Sequence, residues 1–526
     1  MKPYFRPATW LFLGIWLVLL VGGRSRFFQD PGTFWHTSVG DRIFAEGFFD
    51  TDSFTFSFGG QKWIPQQWLG ECALSVAYRI GGFDTQLLAT ATILAAVFTG
   101  IGMRLLRSGI HPSLVTLIIA CGIAASSGHF HVRPHLSTIA GMAIVMIYLV
   151  DVENGLIPIR RLAWLIPVIW LWSNIHGGVM GGIATIALAI AGWTAARLLK
   201  RASPIQTRRD FLLLFVIWLG TVAVCFLNPY FHRLPIAWYD VYKMASLTTI
   251  IREHSAVDLS EFAGITIVTF GVIFCLFLLG TVPLNRYRIV WLLPLVWFVL
   301  ACERVRHAPL FTMAALVVFV DAFPFSRIAE RLLRKKSDLY EPNLQPSHTS
   351  SREHVQAFVL PAVLFFLALL LQATGTVVPV LGRGWARHDP TIWPVELLPE
   401  LQKHQHDRPE GTRIFCEYNF GGYLIHQTPG YRVFIDDRCE LFGDTFLVEY
   451  VWTKQMLKEE VIKNPAEPFA TWQFHYGSFD FALVEPDGGF DLALLQIPAW
   501  VEVKRTKTAV LFKKMQARGP APREIP

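Results

Sequence analysis

Residues 8–36 read ATWLFLGIWLVLLVGGRSRFFQDPGTFWH. No charge interrupts the run from Ala8 to Gly23, whereas beyond Arg24 an acid, a Pro-Gly turn, four aromatics and a histidine follow in close order. An apolar helix that breaks into a polar, aromatic-rich loop has the form of a membrane span leading into an extramembrane segment. The same alternation recurs along much of the chain.

Composition agrees with that reading. The 526 residues are 53% hydrophobic and only 17% charged, and the mean hydropathy is +0.40. Soluble proteins of this length carry more charge, so an integral membrane protein is expected. A bilayer takes about 20 apolar residues to cross, fewer where flanking side chains snorkel, and by that rule roughly eleven spans are expected. They lie near Ala8–Gly23, Thr85–Met103, Pro112–Ser127, Leu136–Val150, Leu162–Ser173, Gly178–Ala196, Phe211–Leu227, Gly264–Leu284, Ile289–Cys302, Ala308–Phe323 and Val355–Val377.

The formal charge of +7 resides largely in short loops between apolar runs, which argues against nucleic acid as a partner. Lys2 and Arg6, Arg104 and Arg107, Arg160 and Arg161, the set from Arg197 to Arg209, Arg286 and Arg288, and the run from Arg327 to Lys336 occupy alternate connections. The positive-inside rule makes that side cytoplasmic, together with the N-terminus, in an inner (plasma) membrane. The first span is alternatively a signal peptide, although no A-x-A site follows it.

After Val377 the composition becomes that of a soluble domain. Arg413–Cys416, Tyr431–Ile435, Phe479–Val484 and Ala509–Phe512 have strand patterning, with a helix over Gly422–Gln427. The expected fold is a polytopic α-helical membrane protein, residues 1–377 with a first outer loop at 24–82, followed by an extracytoplasmic α/β domain at 378–526. A linker-like stretch near Ser337–Arg352 lies on the cytoplasmic side. The seven cysteines have no zinc-site spacing; Cys416 and Cys439 could pair outside the cytoplasm or remain two thiols.

The first outer loop is expected to be folded and to lie on the membrane surface, with the aromatics of FFQDPGTFWH as interfacial anchors for Asp30 and His36. Thr33–Glu46 forms an amphipathic helix with Trp35, Val39 and Ile43 on one side, and Phe54, Phe56 and Phe58 alternate as in a small hairpin. Pro65 then opens a helix that presents Trp68, Leu69 and Cys72 on one face. Asp30 is either a turn acid capping the helix at Thr33 or a general base that reaches a substrate hydroxyl while partly buried against Phe27, Phe28 and Trp35. Asp50 and Asp52 are weak candidates for a divalent cation, Mg or Mn, against the plainer reading of solvated turn acids.

Other outer connections carry His129, His131 and His135, then Asn174 and His176, then Arg252-Glu253-His254, then Arg304, Arg306 and His307. The histidine trio lacks a clear ligand spacing, so substrate-binding or structural roles are favoured over zinc. Arginines at a span mouth are costly unless they face water, lipid phosphate or a bound phosphate. Glu253 reads as a surface residue.

Several motifs carry a resemblance. Asp30-Pro31-Gly32-Thr33-Phe34-Trp35-His36, Gln67-Trp68-Leu69-Gly70-Glu71, Asn174-Ile175-His176-Gly177-Gly178, Asn228-Pro229-Tyr230, Phe420-Gly421-Gly422-Tyr423-Leu424 and Val433-Phe434-Ile435-Asp436-Asp437-Arg438 resemble bacterial membrane proteins related to the GT-C glycosyltransferases. The resemblance implies an enzyme that takes a sugar from a polyprenyl-phosphate donor, with a catalytic acid in the first outer loop, here at Asp30. Many relatives have a second acid nearby where this chain has Gly32, so an acidic metal pair is not implied at that place.

The expected reaction is inverting transfer to a glycan, lipid or protein acceptor. Asp30 deprotonates the acceptor, Arg304 or Arg306 stabilises the leaving phosphate, and His36, His131, His135, Asn174, His176 and Asp436 are candidate substrate-binding residues. Asp436 sits at a strand end, and Asp437-Arg438 is alternatively a structural ion pair. The rival reading is a non-catalytic membrane component of surface polysaccharide assembly. A transporter is disfavoured because ionisable groups within the spans are few.

Overall fold

The computed structural model describes residues 6–244, 251–342, 351–405 and 411–515. Lys2 and residues 343–350 of the linker-like stretch lie outside them. By packing, the chain divides into a helical unit, within Met1–Phe27, Gln66–Tyr239 and Leu247–Arg387, and a second unit, within Phe28–Pro65, Asp240–Ser246 and His388–Pro526.

In the helical unit every stretch read as a span is helical. Among the described residues, 9 helices are long and apolar enough to cross a membrane. The remaining two stretches start as tight 3-10 turns, Ile159–Trp164 and Ile289–Leu292, and continue as the helices Leu165–Ile175 and Leu293–Glu303. The second of these starts is fixed by Glu153, whose carboxylate accepts the backbone N–H groups of Ile289 and Val290 at 2.8 and 2.9 Å. Helix Ala308–Ala322 is apolar around nearly its whole circumference and is correspondingly enclosed, with every side chain from Ala308 to Val318 buried.

Small residues let the helices approach. A Cβ on Gly122 would come 2.7 Å from the Leu316 side chain, and one on Gly141 would come 2.3 Å from the indole of Trp172. The segment after the last span returns to the first two. Asp84 accepts the N–H groups of Gly384 and Ala386 at 2.9 and 2.7 Å, and Arg24 stacks 4.1 Å over Trp385 while donating to its carbonyl at 2.7 Å.

The second unit is built on a five-stranded sheet of order β2-β1-β3-β5-β4. Its strands are β1 (Thr412–Cys416), β2 (Tyr431–Val433), β3 (Phe481–Val484), β4 (Trp500–Arg505) and β5 (Val510–Lys514). β2, β1 and β3 are parallel, with Ile414 opposite Val433 and Phe481; β5 and β4 are antiparallel additions. Strand patterning revealed β1, β2, β3 and β5, but β4, whose pattern is mostly exposed, gave no hydrophobic signal. The core centres on Phe415, whose ring lies 4.9 Å from Phe434 and 5.0 Å from Phe490.

Residues 28–65 of the first loop belong to this same unit. Thr55 pairs with Val433 in a parallel bridge, with Phe56 N–H donating to the Val433 carbonyl at 3.0 Å and Val433 N–H to that of Phe54 at 3.1 Å, so the loop covers the open edge of β2. The turn over 54–60 is closed by an antiparallel Thr51–Lys62 bridge rather than by a regular hairpin. Helix Gly32–Glu46 buries Trp35, Val39 and Ile43 as expected. Phe28, Phe34 and Trp35 are not interfacial anchors: they are buried inside the protein, where Phe34 meets Trp393 and Tyr423 at 4.9 and 5.0 Å.

Helix Tyr418–Gln427 crosses helix Gly32–Glu46 closely, because a Cβ on Gly422 would lie 2.4 Å from the Pro31 carbonyl. Cys416 and Cys439 are free and buried. The Cys416 thiol is directed at the Ile435 carbonyl at 3.2 Å, and Cys439 Sγ lies 3.1 Å from the Tyr418 hydroxyl, so each sulfur has its own polar neighbour.

Candidate functional site

The helical unit gathers its histidines and arginines where several connections meet. After Pro112–Ser126 the chain turns through Ser127–His129 and Arg133-Pro134, whose carbonyls receive the first N–H groups of helix Leu136–Glu153. Pro134 packs where a Cβ on Gly70 would be only 2.6 Å away, and Trp68 donates to Asn174 Oδ1 at 2.8 Å. The rings of His135 and His176 lie 6.2 Å apart, and those of His131 and His135 6.4 Å. The Gln67–Glu71, His129–His135 and Asn174–Gly178 motifs thus converge.

A second pair of connections closes on them. Val305 N–H donates to the Ser255 carbonyl and Val257 N–H to that of Cys302, both at 3.0 Å, which places the segment around Glu253 beside Arg304–His307. The Arg306 guanidinium contacts the His254 ring. Glu253 lies among Arg133, His129, His131 and His135, with one of its oxygens within 4.8 Å of a His131 ring nitrogen.

Hydrogen bonds identify the tautomers. A carbonyl only accepts, so His131 Nε2 donates to Gly128 O at 3.2 Å and His135 Nε2 donates to His129 O at 2.5 Å. His176 Nδ1 accepts from Gly178 N–H at 3.0 Å and meets the Thr138 hydroxyl at 2.8 Å, leaving its proton on Nε2. Among the described residues His131 Nδ1 and His129 Nε2 are buried ring nitrogens with no hydrogen-bond partner.

Burial pushes the imidazoles of His135 and His254 down to about 3, aided by Arg133 and Arg306 respectively, and holds His176 well below its ordinary value, with His135 adding to the effect. For Glu253 burial is the largest effect and opposes ionisation, and the Arg133 guanidinium leads the attractions that keep the carboxyl below the usual range. His135, His176 and His254 are therefore neutral, beside fixed arginine charge and an ionised glutamate. Arg304 adds its charge near His254.

Asn174 has a packing commitment, with its amide donating to the Trp170 carbonyl at 2.8 Å. Asn228 bonds its own turn, accepting Tyr230 N–H at 2.7 Å. Glu253 and Arg133 are the residues that sequence reasoning passed over. Glu253 looked solvated between Arg252 and His254, and only the fold turns it toward His131.

The second unit holds the other candidates. Asp30 is half-buried, and its Oδ1 accepts the N–H of Gly32, the first residue of the following helix, at 2.7 Å. His36 is fully buried, its ring 3.7 Å from that of Trp35. Asp436 forms a buried pair with Arg438 at 2.7 Å, and Asp52 meets the same guanidinium at 2.8 Å. Asp52 Oδ2 also accepts from Thr55 Oγ1 at 2.6 Å, while Asp50 pairs with Lys62 at 3.1 Å. A cation at Asp52 would have to displace an arginine.

No protein-family model and no curated protein matches the chain. Among solved structures, it is similar to ArnT from Cupriavidus metallidurans bound to undecaprenyl phosphate, with 15% identity and a TM-score of 0.48 over 95% of this chain and 97% of that one. This is a multi-span membrane protein similar in structure to ArnT and to AglB. AglB is the oligosaccharyltransferase of Archaeoglobus fulgidus, in complex with an inhibitory peptide and a dolichol-phosphate, at 12% identity and a TM-score of 0.49 over 98% of this chain and 74% of that one. A further structure of the Archaeoglobus fulgidus oligosaccharyltransferase, in complex with Zn and sulfate, has 11% identity and a TM-score of 0.49 over 91% of this chain and 68% of that one.

Proposed function

We propose that the protein is a membrane glycosyltransferase that moves a sugar, with inversion, from a polyprenyl-phosphate donor to an extracytoplasmic glycan, lipid or protein acceptor. The observation that carries the reading is the basin of Arg133, Arg306, Glu253 and neutral histidines at the span ends of an otherwise apolar unit. The lone pair on His131 Nδ1 suits a sugar hydroxyl, and the guanidinium groups suit a phosphate.

In this mechanism Asp30 takes the proton of the acceptor hydroxyl as its oxygen attacks the sugar C1 and the C1–O bond to the lipid phosphate breaks. Gly32 N–H holds one oxygen of the Asp30 carboxylate and so orients the group. Arg306, with Arg304, balances the charge that develops on the leaving phosphate. His131 and Glu253 are donors of the kinds that hold a divalent cation, which when bound would add positive charge for a phosphate.

The orientation follows from the loop charges: N-terminus cytoplasmic, residues from 378 onward outside. A protease added to intact spheroplasts is expected to cut beyond Val377, and protection there contradicts the orientation. For the activity, the protein is reconstituted in liposomes with polyprenyl-phosphate-linked sugars and extracytoplasmic glycan and lipid acceptors from the host. Release of polyprenyl phosphate with label on an acceptor is the expected result; tight binding without turnover would favour an assembly component.

A further inference from the structure

At the opposite end of the helical unit from the histidine basin, the last two turns of sequence before the linker form a separate device. Helix Arg327–Arg334 begins directly after the span Val305–Phe325, with Ser326 as its cap, accepting Ala329 N–H at 3.1 Å. It stops where Lys336 takes a left-handed φ of 51°. The chain then turns back, and Tyr340 pairs antiparallel with Ile110 in the connection between the helices Phe83–Arg107 and Pro112–Ser126.

That return contact is tight. His111 N–H donates to the Leu339 carbonyl at 3.0 Å and Glu341 N–H to that of Gly109 at 2.9 Å. Gly109 has a φ of +92°, and a Cβ there would fall 1.9 Å from the Glu341 carbonyl oxygen, so only glycine admits the strap. Tyr340 is buried, with its ring 5.1 Å from Phe323. The helix is therefore pinned at both ends to span ends and must run along the membrane boundary.

Its exposed face is basic, with an apolar side chain on each flank. Ile328 and Leu333 are 39% and 45% exposed, while Arg327, Arg331, Arg334, Lys335 and Lys336 face a single acid, Glu330, which is paired to Arg334. Asp338 and Glu341 lie beyond, on the returning strand. Apolar side chains beside a ring of cations, held at the level of span ends, match the layer where acyl chains meet headgroups.

We infer that the strap 326–341 is an in-plane membrane-surface element whose cations bind anionic phospholipid headgroups in the leaflet at this end of the spans. Ile328 and Leu333 enter the acyl boundary, and the longer basic side chains reach phosphate oxygens. The inference is independent of the sugar-transfer reading, since it concerns the other end of the unit.

The test uses the full-length protein in phosphatidylcholine bicelles titrated with phosphatidylglycerol, reading the thermal midpoint. The wild type is expected to gain stability with phosphatidylglycerol. The variant Arg327→Gln/Arg331→Gln/Lys335→Gln/Lys336→Gln should need about tenfold more, or respond not at all. Arg208→Gln/Arg209→Gln, in another basic connection, should respond as wild type. A quadruple variant that responds like wild type overturns the inference. Should that variant fail to fold, hydrogen exchange on the wild type decides: phosphatidylglycerol must slow exchange over 327–336 relative to phosphatidylcholine, and unchanged exchange overturns it equally.

Discussion

The guanidinium of Arg438 lies 2.8 Å from the carboxylate of Asp52 with neither side chain exposed. Asp436 holds the other side of the same group at 2.7 Å, and the Trp63 ring lies 4.6 Å away. One arginine thus joins the first loop to the strand end of the α/β core. Burying three charges is expensive, and removing one partner leaves the rest uncompensated. Asp52→Asn is expected to lower the stability of this unit by about 3 kcal/mol, measured by denaturant unfolding, with faster proteolysis within 28–65. Unchanged stability would mean that the pair does not hold the loop.

The crossing of helices Gly32–Glu46 and Tyr418–Gln427 makes a second prediction. A methyl group at Gly422 would meet the Pro31 carbonyl at 2.4 Å, beside the turn that orients Asp30. Gly422→Ala is expected to cost about 2 kcal/mol through overpacking and to slow sugar transfer, whereas the exposed Leu495→Ala should alter neither. The check is a thermal melt paired with a transfer assay.

Stability should depend on pH through His388 and His426. Burial pushes both imidazoles from 6.5 down to about 4, with His426 adding to the effect on His388. Between those values the unfolded chain binds protons that the folded unit refuses, so stability is present in full above about pH 6.5 and falls as pH falls toward 4. Thermal midpoints of the wild type and a His388→Phe/His426→Phe variant should therefore differ in slope over that window. Parallel curves would remove these histidines as the cause.

Arg306 touches His254 and shares the basin with Glu253. If Arg306 balances charge on the leaving phosphate as proposed, its loss in Arg306→Ala is expected to reduce turnover by about 100-fold or more. Arg306→Lys should recover part of that, because charge is kept while the planar fork is lost. Steady-state kinetics with wild-type folding, checked by a melt, distinguish this from collapse of the site.

What was legible in the sequence was whatever depends on local periodicity. Length and hydropathy located the spans, and strand patterning located β1, β2, β3 and β5. The destination of the first loop was not legible, because the Thr55–Val433 bridge and the Asp52–Arg438 pair join residues hundreds of positions apart with no local signature. Phe28, Phe34 and Trp35 looked like membrane anchors for the same reason: an aromatic face shows that something covers it without showing what. Glu253 was misread because two charged neighbours in sequence resemble a solvated turn, whereas its electrostatic partners, Arg133 and His131, come from another connection. Pairing of Cys416 with Cys439 was left open by spacing alone, and the separate polar neighbours of the two sulfurs decide for free thiols.

The central claim is that Asp30 is the base for transfer from a polyprenyl-phosphate sugar. Asp30→Asn keeps the shape of the side chain and its Oδ1 acceptor for Gly32 N–H while removing its basicity. The decisive measurement is sugar transfer by this variant in liposomes, at expression and thermal stability matched to wild type. A loss of about 100-fold or more, with the donor lipid still bound, is predicted; undiminished transfer would contradict the account.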